Sequence, residues 1–410
     1  MKKIFLFAAL VTILTLFTEG CKERSGKIHM EPATPVEETA PTRKAIREVV
    51  LSGSGYDLGF EHGQKLKAEI EAIVSKWKEN TRAALKKDPE TVLDAFFEYA
   101  HFEDAIKTHA PELYEEVQGI AEGSGQAFRD ILVLNLLDEF WVYIDNPQNH
   151  HCSDMGVPAQ RGRPAYIAQN MDLESYTDGF QILLRLGRTA QRPAQMILTY
   201  PGLIAANGLN EAGIGVVVNT IMQLQSSPDG LPVAFVVRKI LSHTEEGALL
   251  NFVQEVKHAS GQNYILGIRD SVYDFEASAN KVVRYDPRNP NGTVYHTNHP
   301  VVNNDLKPWH ALYSPDQEAG ELPLGSNSYL RFAALEQRMR GGETISDTDL
   351  MEALRSKDDP DNPVCRNNLP GKGGFTFAST VMTLSDPPKL QVTAGPPDES
   401  EYKEFTFELN

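Results

Sequence analysis

The spacing of apolar residues changes character at Cys152, and that change constrains the fold more than any other feature of the chain. Before Cys152 the spacing is helical. Leu66, Ile70, Ile73, Val74 and Trp77 fall on one face of an amphipathic helix. Asp88-Pro89 opens a second helix, since proline suits a first helical position. A third runs from Pro111 through Leu113, Val117 and Ile120 to a stop at Gly123-Ser124-Gly125, and another begins near Asp130. Gly59 and Gly63, one turn apart, leave room for a second backbone to approach. After Cys152 the runs are short and β-like, at 166–169, 181–186 and 196–200. Asn210-Glu211-Ala212-Gly213 is a hairpin turn between apolar runs at 203–209 and 214–219. Two helices read through 232–258, strands at 264–268, 272–276 and 282–285, a helix at 328–339, and late strands at 376–384, 389–393 and 404–408. There is no internal repeat. Helices, strands, helices and further strands imply an α+β layered fold rather than regular βαβ alternation.

The first 20 residues stand apart from this body. Lys2 and Lys3 precede an apolar run from Ile4 to Phe17 that is short for a bilayer span and suits a signal peptide. It ends at Thr18-Glu19-Gly20-Cys21, where a small residue before cysteine resembles a bacterial lipoprotein lipobox. On that reading Cys21 is lipidated and anchors an exported, periplasm-facing or surface protein; the alternative is an ordinary cleaved signal. Residues 21–46, with Pro32, Pro35 and Pro41 among charged and polar residues, read as a disordered tether. Loss of residues 1–20 removes Lys2, Lys3 and Glu19, and the formal charge moves from −17 to −18. Such acidity argues against nucleic acid, which requires a basic face.

Three cysteines, at 21, 152 and 365, are too few and too scattered for a disulfide scaffold. Taken alone, Cys152 reads as a buried structural thiol. A metal reading would combine His150, His151 and Cys152 with His296 and His299. Three consecutive residues diverge, however, and compact zinc sites use spaced pairs.

A wider set of motifs adds a third reading. Gly55-Tyr56-Asp57-Leu58-Gly59-Phe60-Glu61-His62-Gly63 is followed by Gly119-Ile120-Ala121-Glu122-Gly123-Ser124-Gly125, Asp130-Ile131-Leu132 and Asn135. Then come Cys152-Ser153, Gln169-Asn170-Met171-Asp172, Gly208-Leu209-Asn210 to Asn219, His296-Thr297-Asn298-His299-Pro300 and Val364-Cys365-Arg366. In this order, from about residue 48 onward, they resemble the acyl-coenzyme A:6-aminopenicillanic acid acyltransferase family of self-cleaving N-terminal nucleophile (Ntn) hydrolases. The family is related more distantly to penicillin V acylase and choloylglycine hydrolase.

The resemblance implies a four-layer αββα sandwich, two antiparallel sheets between helical layers, preceded by a mostly helical region at 47–151. It implies a precursor cut by its own cysteine at His151-Cys152, with 152–410 as the β-chain and both chains remaining associated. The freed α-amine of Cys152, with a pKa of about 7.7–8.0, then acts as the general base for its own thiol. Asp172 matches the carboxylate that orients this amine. Asn219 and Asn298 match positions that supply or place oxyanion donors, and Arg331 resembles the arginine that supports the network. The implied substrate is a small acyl amide with a non-peptide C–N bond, and no cofactor or metal is called for. Gln169 stands where the bile-salt and penicillin V enzymes carry arginine, His151 where glycine is frequent, and Asn367 where histidine is common, which leaves Cys365 a structural or pocket role.

Each residue also has a plain structural reading: Asp172 as a turn or cap carboxylate, Asn219 and Asn298 as strand-end asparagines, Arg331 as a surface cation on a helix. Two further functions stay open at this stage, a tethered binding protein without catalysis and a phospholipase-B-like esterase. A compartment with little acyl-coenzyme A favours hydrolysis over transfer.

Overall fold

The computed structural model describes residues 43, 45–145, 151–287, 289–309, 326–340, 344–385 and 387–408. The expected signal peptide, Cys21, most of the tether and His150 lie outside the described residues.

The chain begins with β1 (Arg47–Leu51), followed by α1 (Gly55–Lys65), α2 (Lys67–Leu85), α3 (Pro89–Tyr99), α4 (Phe102–His109), α5 (Pro111–Ser124), α6 (Phe128–Leu134) and α7 (Leu137–Ile144). After Cys152 come β2 (Ser153–Val157), β3 (Tyr166–Glu174), β4 (Ile182–Leu186), β5 (Gln195–Thr199), β6 (Asn207–Asn210) and β7 (Ile214–Thr220). Next are α8 (Val233–Ile240), α9 (Glu246–Glu255), β8 (Gln262–Ile268), β9 (Ser271–Ala277), β10 (Val282–Tyr285) and β11 (Val294–His296). The chain closes with α10 (Ser326–Met339), α11 (Asp347–Leu354), β12 (Gly374–Thr383), β13 (Lys389–Val392) and β14 (Lys403–Thr406).

These strands form an eight-stranded sheet, β1-β4-β5-β6-β7-β8-β9-β10, and a six-stranded sheet, β11-β2-β3-β12-β13-β14. Every pairing is antiparallel except β1 with β4. The sheets meet face to face. A Cβ on Gly215 of β7 would lie 2.9 Å from Ile167 Cδ1 of β3, and one on Gly267 of β8 would lie 3.0 Å from Ile167 Cγ2. Helix α8 covers β7 from outside, and α10 and α11 cover the other sheet at β11, β3 and β12. This is the αββα sandwich. Strands β7 and β8 are buried on both faces, so they read as solid apolar runs rather than alternating ones.

The N-terminal helices behave as their caps dictate. Asp88 accepts the Thr91 amide at the start of α3, and α5 ends at Gly125 in the left-handed region, φ +73°. Gly59 and Gly63 do admit a second backbone, and it is α5. A Cβ on Gly59 would stand 1.9 Å from Glu116 O, and one on Gly123 would stand 2.3 Å from Phe60 O. Trp77, Phe96 and Phe140 lock α2, α3 and α7 by edge-on ring contacts at 5.4–5.5 Å.

Several features depart from the sequence expectation, among them helix α4 and strands β2 and β11, for which the sequence shows no separate signal. Residues 47–51 form a strand in a region read as helical, paired in parallel with β4. Helix α11 was not anticipated, although Ser346 and Asp349 form a capping box at its start. The last tether residues pack against the body: Arg43 bonds Asp178 (2.6 Å) and Glu399 (2.7 Å), and Ile46 is buried.

Candidate active site

Cys152 stands at the entry to β2, beside β3, and is buried. The backbone N–H of Asp172 donates to its Sγ at 3.4 Å, and Met171 Sδ lies 3.7 Å away. Burial pushes the thiol well above its ordinary pKa, and the charges of Asp172 and Asp154 push the same way. With the His151–Cys152 bond intact, Cys152 is therefore a neutral thiol.

Arg331, on α10, reaches this point from the outer helical layer. Rather than a surface cation it is fully buried, and its fork meets four acceptors. Nη1 donates to the Cys152 carbonyl at 2.5 Å and to Ser153 Oγ at 2.9 Å. Nη2 donates to Asn298 Oδ1 at 2.9 Å, and Nε to Asn327 Oδ1 at 2.8 Å. Burial lowers its pKa to about 10, which leaves it charged at neutral pH. Asn298 in turn donates from Nδ2 to the Thr220 carbonyl at 3.0 Å, tying the network to the end of β7.

Asp172 is 4% exposed. Arg366 donates to its Oδ2 at 3.3 Å, while Oδ1 has no hydrogen-bond partner. Burial raises its pKa to about 6 against the opposing pull of Arg366 and Arg331. It is thus a core carboxylate rather than a turn or cap residue.

The structure links Cys152, Asp172, Asn298 and Arg331 through direct contacts or shared partners. Asn219 joins them less directly. It is buried on β7 next to Thr220, and neither polar atom of its side chain is hydrogen-bonded. His151 stands on the other side of the expected cut, with Nδ1 2.9 Å from Asn327 Oδ1.

Several neighbours of these residues carry little signal in the sequence. Arg366 was visible only as the residue after Cys365, although a buried Asp172 needs a cation. Asn327, which receives both His151 and Arg331, carries no sequence signal at all. Gln169 lies in a neutral network: it donates to the Val218 carbonyl at 2.6 Å and accepts from Asn207 at 2.5 Å. His296 bonds Glu276 at 2.8 Å, and His299 stacks on Tyr329 with ring centroids 3.9 Å apart. Cys365 lies away from Cys152 and donates to Asp398 Oδ1 at 3.0 Å.

Beside Cys152 opens a cavity whose empty space, open solvent included, is about 740 Å³. Its walls are largely apolar, from Leu134, Trp141, Leu203, Val218 and Val237, with Asp138, Asp172 and Glu174 set among them. A thiol and a buried carboxylate on the wall of such a cavity, with a charged arginine fork and the unsatisfied Asn219 amide in the layers behind them, suit acyl transfer to sulfur, with the developing oxyanion met by fixed donors.

The model of the family described as acyl-coenzyme A:6-aminopenicillanic acid acyl-transferase matches residues 159–399, beginning just past Cys152. The 40 kDa form of acyl-coenzyme A:6-aminopenicillanic-acid-acyltransferase from Emericella nidulans is 25% identical over 337 residues, covering 82% of this chain and 88% of the relative. Two solved structures are similar in part. The Caenorhabditis elegans ortholog of N-acylethanolamine-hydrolyzing acid amidase is 15% identical with a TM-score of 0.38, covering 57% of this chain and 93% of its own. Penicillin V acylase from Agrobacterium tumefaciens is 14% identical with a TM-score of 0.39, covering 59% and 82%.

Proposed function

The chain belongs to the acyl-coenzyme A:6-aminopenicillanic acid acyltransferase family, and on that premise we propose that it is a self-processing cysteine amidase that cleaves small non-peptide acyl amides through a thioester on Cys152. The observation that supports this reading is the bonding of Arg331 to the Cys152 carbonyl, Ser153 and Asn298, with the Asp172 amide against the Cys152 sulfur and both Cys152 and Asp172 lining an apolar cavity.

In the first step the Cys152 sulfur attacks the His151 carbonyl. The C–N bond breaks, the nitrogen takes the thiol's proton, and water then releases the His151 carboxylate from the resulting thioester. The Cys152 α-amine freed in this way has a pKa of about 7.7–8.0 and takes the thiol proton in each later turnover. Asp172 orients that amine. Asn219 and Asn298 stabilise the tetrahedral oxyanion, the former with an amide that has no other partner in the uncut chain. Collapse expels the substrate amine with the transferred proton, and water hydrolyses the thioester.

The same reading makes the mature protein a lipoprotein anchored at Cys21, facing the periplasm or the cell surface, where acyl-coenzyme A is scarce and water is the acceptor. The two chains stay together after the cut. Intact-mass analysis of the purified protein is the test. A fragment starting at Cys152, absent in Cys152→Ala, is the expected result. A chain that stays uncut and yet hydrolyses amides would refute self-processing, and one without amidase activity in any state would refute the enzyme.

A further inference from the structure

His296 is a buried titratable group that the catalytic steps leave unused, and its bonds decide its charge. It ends β11, at the edge of the smaller sheet, and is fully buried. Its Nδ1 lies 2.5 Å from the Thr297 carbonyl oxygen, and its Nε2 lies 2.8 Å from Oε1 of Glu276, on β9 of the larger sheet. A carbonyl oxygen can only accept. The Glu276 carboxylate accepts too, because the main-chain N–H groups of Val301, Val302 and Asn303 also donate to its two oxygens, the last at 2.6 Å. Both ring nitrogens must therefore donate, and a ring with two donors is an imidazolium. Burial opposes that charge, but Glu276 and Asp274, both on β9, outweigh it and hold the pKa of His296 above its ordinary value. The other titratable groups nearby are Asp154, opposite His296 on β2 and pushed well above the carboxylate range by burial, and His299, whose ring centroid lies 6.3 Å away.

This ion pair closes the segment that carries Asn298. His296 holds the carbonyl of Thr297, and Glu276 holds the amides of 301–303. Thr297 Oγ1 donates to the Ser328 carbonyl at 2.9 Å, on the helix that bears Arg331. Asn298 thus lies in a segment fixed at both ends by one pair that bridges the two sheets, and its side chain joins Arg331 to the Thr220 carbonyl. Charge-assisted bonds of this kind are the strong ones, and a buried site screens them little.

Resting on the reading of Asn298 as an oxyanion donor, we infer that the His296 imidazolium and Glu276 are positioning residues for the reaction: together they hold the 297–303 segment so that the Asn298 amide is in place before the substrate arrives. They act through Asn298 and not on the reacting atoms.

Isotope-labelled Cys152→Ala protein tests the charge state directly. At pH 8 an unperturbed imidazole is neutral, whereas both ring nitrogens of His296, assigned through bonds to its backbone, are expected to carry protons in nitrogen-15 spectra. A neutral ring overturns the inference without any further variant. Coupling is read at the Asn298 side-chain amide. His296→Gln and Glu276→Gln, each added to Cys152→Ala, should shift its signals and speed its hydrogen exchange at least about tenfold, as loss of a charge-assisted bond does. The side-chain amide of Asn135, bonded to the Ile131 and Gly202 carbonyls, is the control and should not change. Unmoved Asn298 signals overturn the inference. Where neither variant folds, pH is raised on Cys152→Ala itself until the ring loses its proton, and the Asn298 Cγ signal must move with the same midpoint; independent behaviour overturns the inference.

Kinetics on hexanoyl anilide, with Cys152 intact, separate positioning from stability. Either variant should lower kcat at least about tenfold at pH 8 and leave KM within about twofold, the pattern of an interaction made only in the transition state. The double variant should do no worse than the poorer single one, because the two residues act as a unit. Unchanged kcat, or a loss confined to KM, counts against the inference. Failure of the wild-type protein to cleave the anilide counts against the amidase reading instead, and the spectra still decide whether His296 and Glu276 place Asn298.

Discussion

Arg331 donates to the main-chain carbonyl of Cys152 at 2.5 Å, so the arginine holds the backbone of the proposed nucleophile rather than its sulfur. The same nitrogen reaches Ser153 Oγ, and the opposite arm of the fork holds Asn298. The guanidinium thus fixes the distance between the residue proposed to attack and an amide proposed to receive the oxyanion. Its planar geometry matters as much as its charge.

Arg331→Lys should therefore keep the charge and lose the geometry. Lysine cannot serve Cys152, Asn298 and Asn327 together. Self-cleavage and kcat/KM are each expected to fall by about a hundredfold or more, the usual consequence of an ångström-scale misplacement. Far-UV circular dichroism and a thermal melt should show a folded protein. Unchanged processing kinetics would remove Arg331 from the machinery.

Asp172 makes a pH prediction for the uncut chain. Its pKa is raised from 3.8 to about 6 in the folded state. Between these values the folded chain holds a proton that the unfolded chain has released, so this group's contribution to stability falls as pH rises through that window. Two units correspond to about 3 kcal/mol. Urea unfolding of Cys152→Ala should show this loss, and adding Asp172→Asn should flatten it. An identical pH slope in both proteins would contradict the raised pKa.

The α1–α5 contact predicts an intolerance to a single methyl group. Gly59→Ala would place Cβ 1.9 Å from a main-chain oxygen, which no rotamer change can relieve. The helices must separate, at a cost of about 3 kcal/mol or more. Gly247→Ala, where nothing lies within 4 Å of the added carbon, serves as the control and should not destabilise. A denaturation midpoint for Gly59→Ala matching that control would show that the helices yield freely.

Glu116 and Arg238 form a fully buried bidentate pair, at 2.7 and 2.8 Å, between α5 and α8. Glu116→Gln leaves the arginine's charge in the core without its counter-ion. A loss of about 3–5 kcal/mol is expected in chemical denaturation, and α8 also lines the cavity, so KM should rise with it. A loss under about 1 kcal/mol would mean that water or another group takes over the charge.

Local rules carried much of the reading. The proline at the start of α5 and the glycine after its end bound that helix in sequence and in structure, and the turn at 210–213 joins β6 to β7 as its residues require. Contacts between distant segments were not legible. β1 is five residues long and gains its identity from β4, far along the chain. Arg331 reads as any helical cation until the fold presents four oxygens to it. The cavity's acidic wall combines residues from α7 and β3, neither of which marks the other in sequence. Helix α11 differs in kind, because its capping box, Ser346 with Asp349, is legible in the sequence.

The parallel pairing of β1 with β4 also bears on renaturation kinetics. One edge of the larger sheet comes from the segment before Cys152 and its neighbour from the segment after it. A single scission between them changes the order of the reaction. The continuous chain refolds in a first-order process, independent of dilution, whereas the cut pair must find each other in solution, with a rate that scales with concentration. A processed sample recovered from denaturant would thus report its own history through its dependence on dilution.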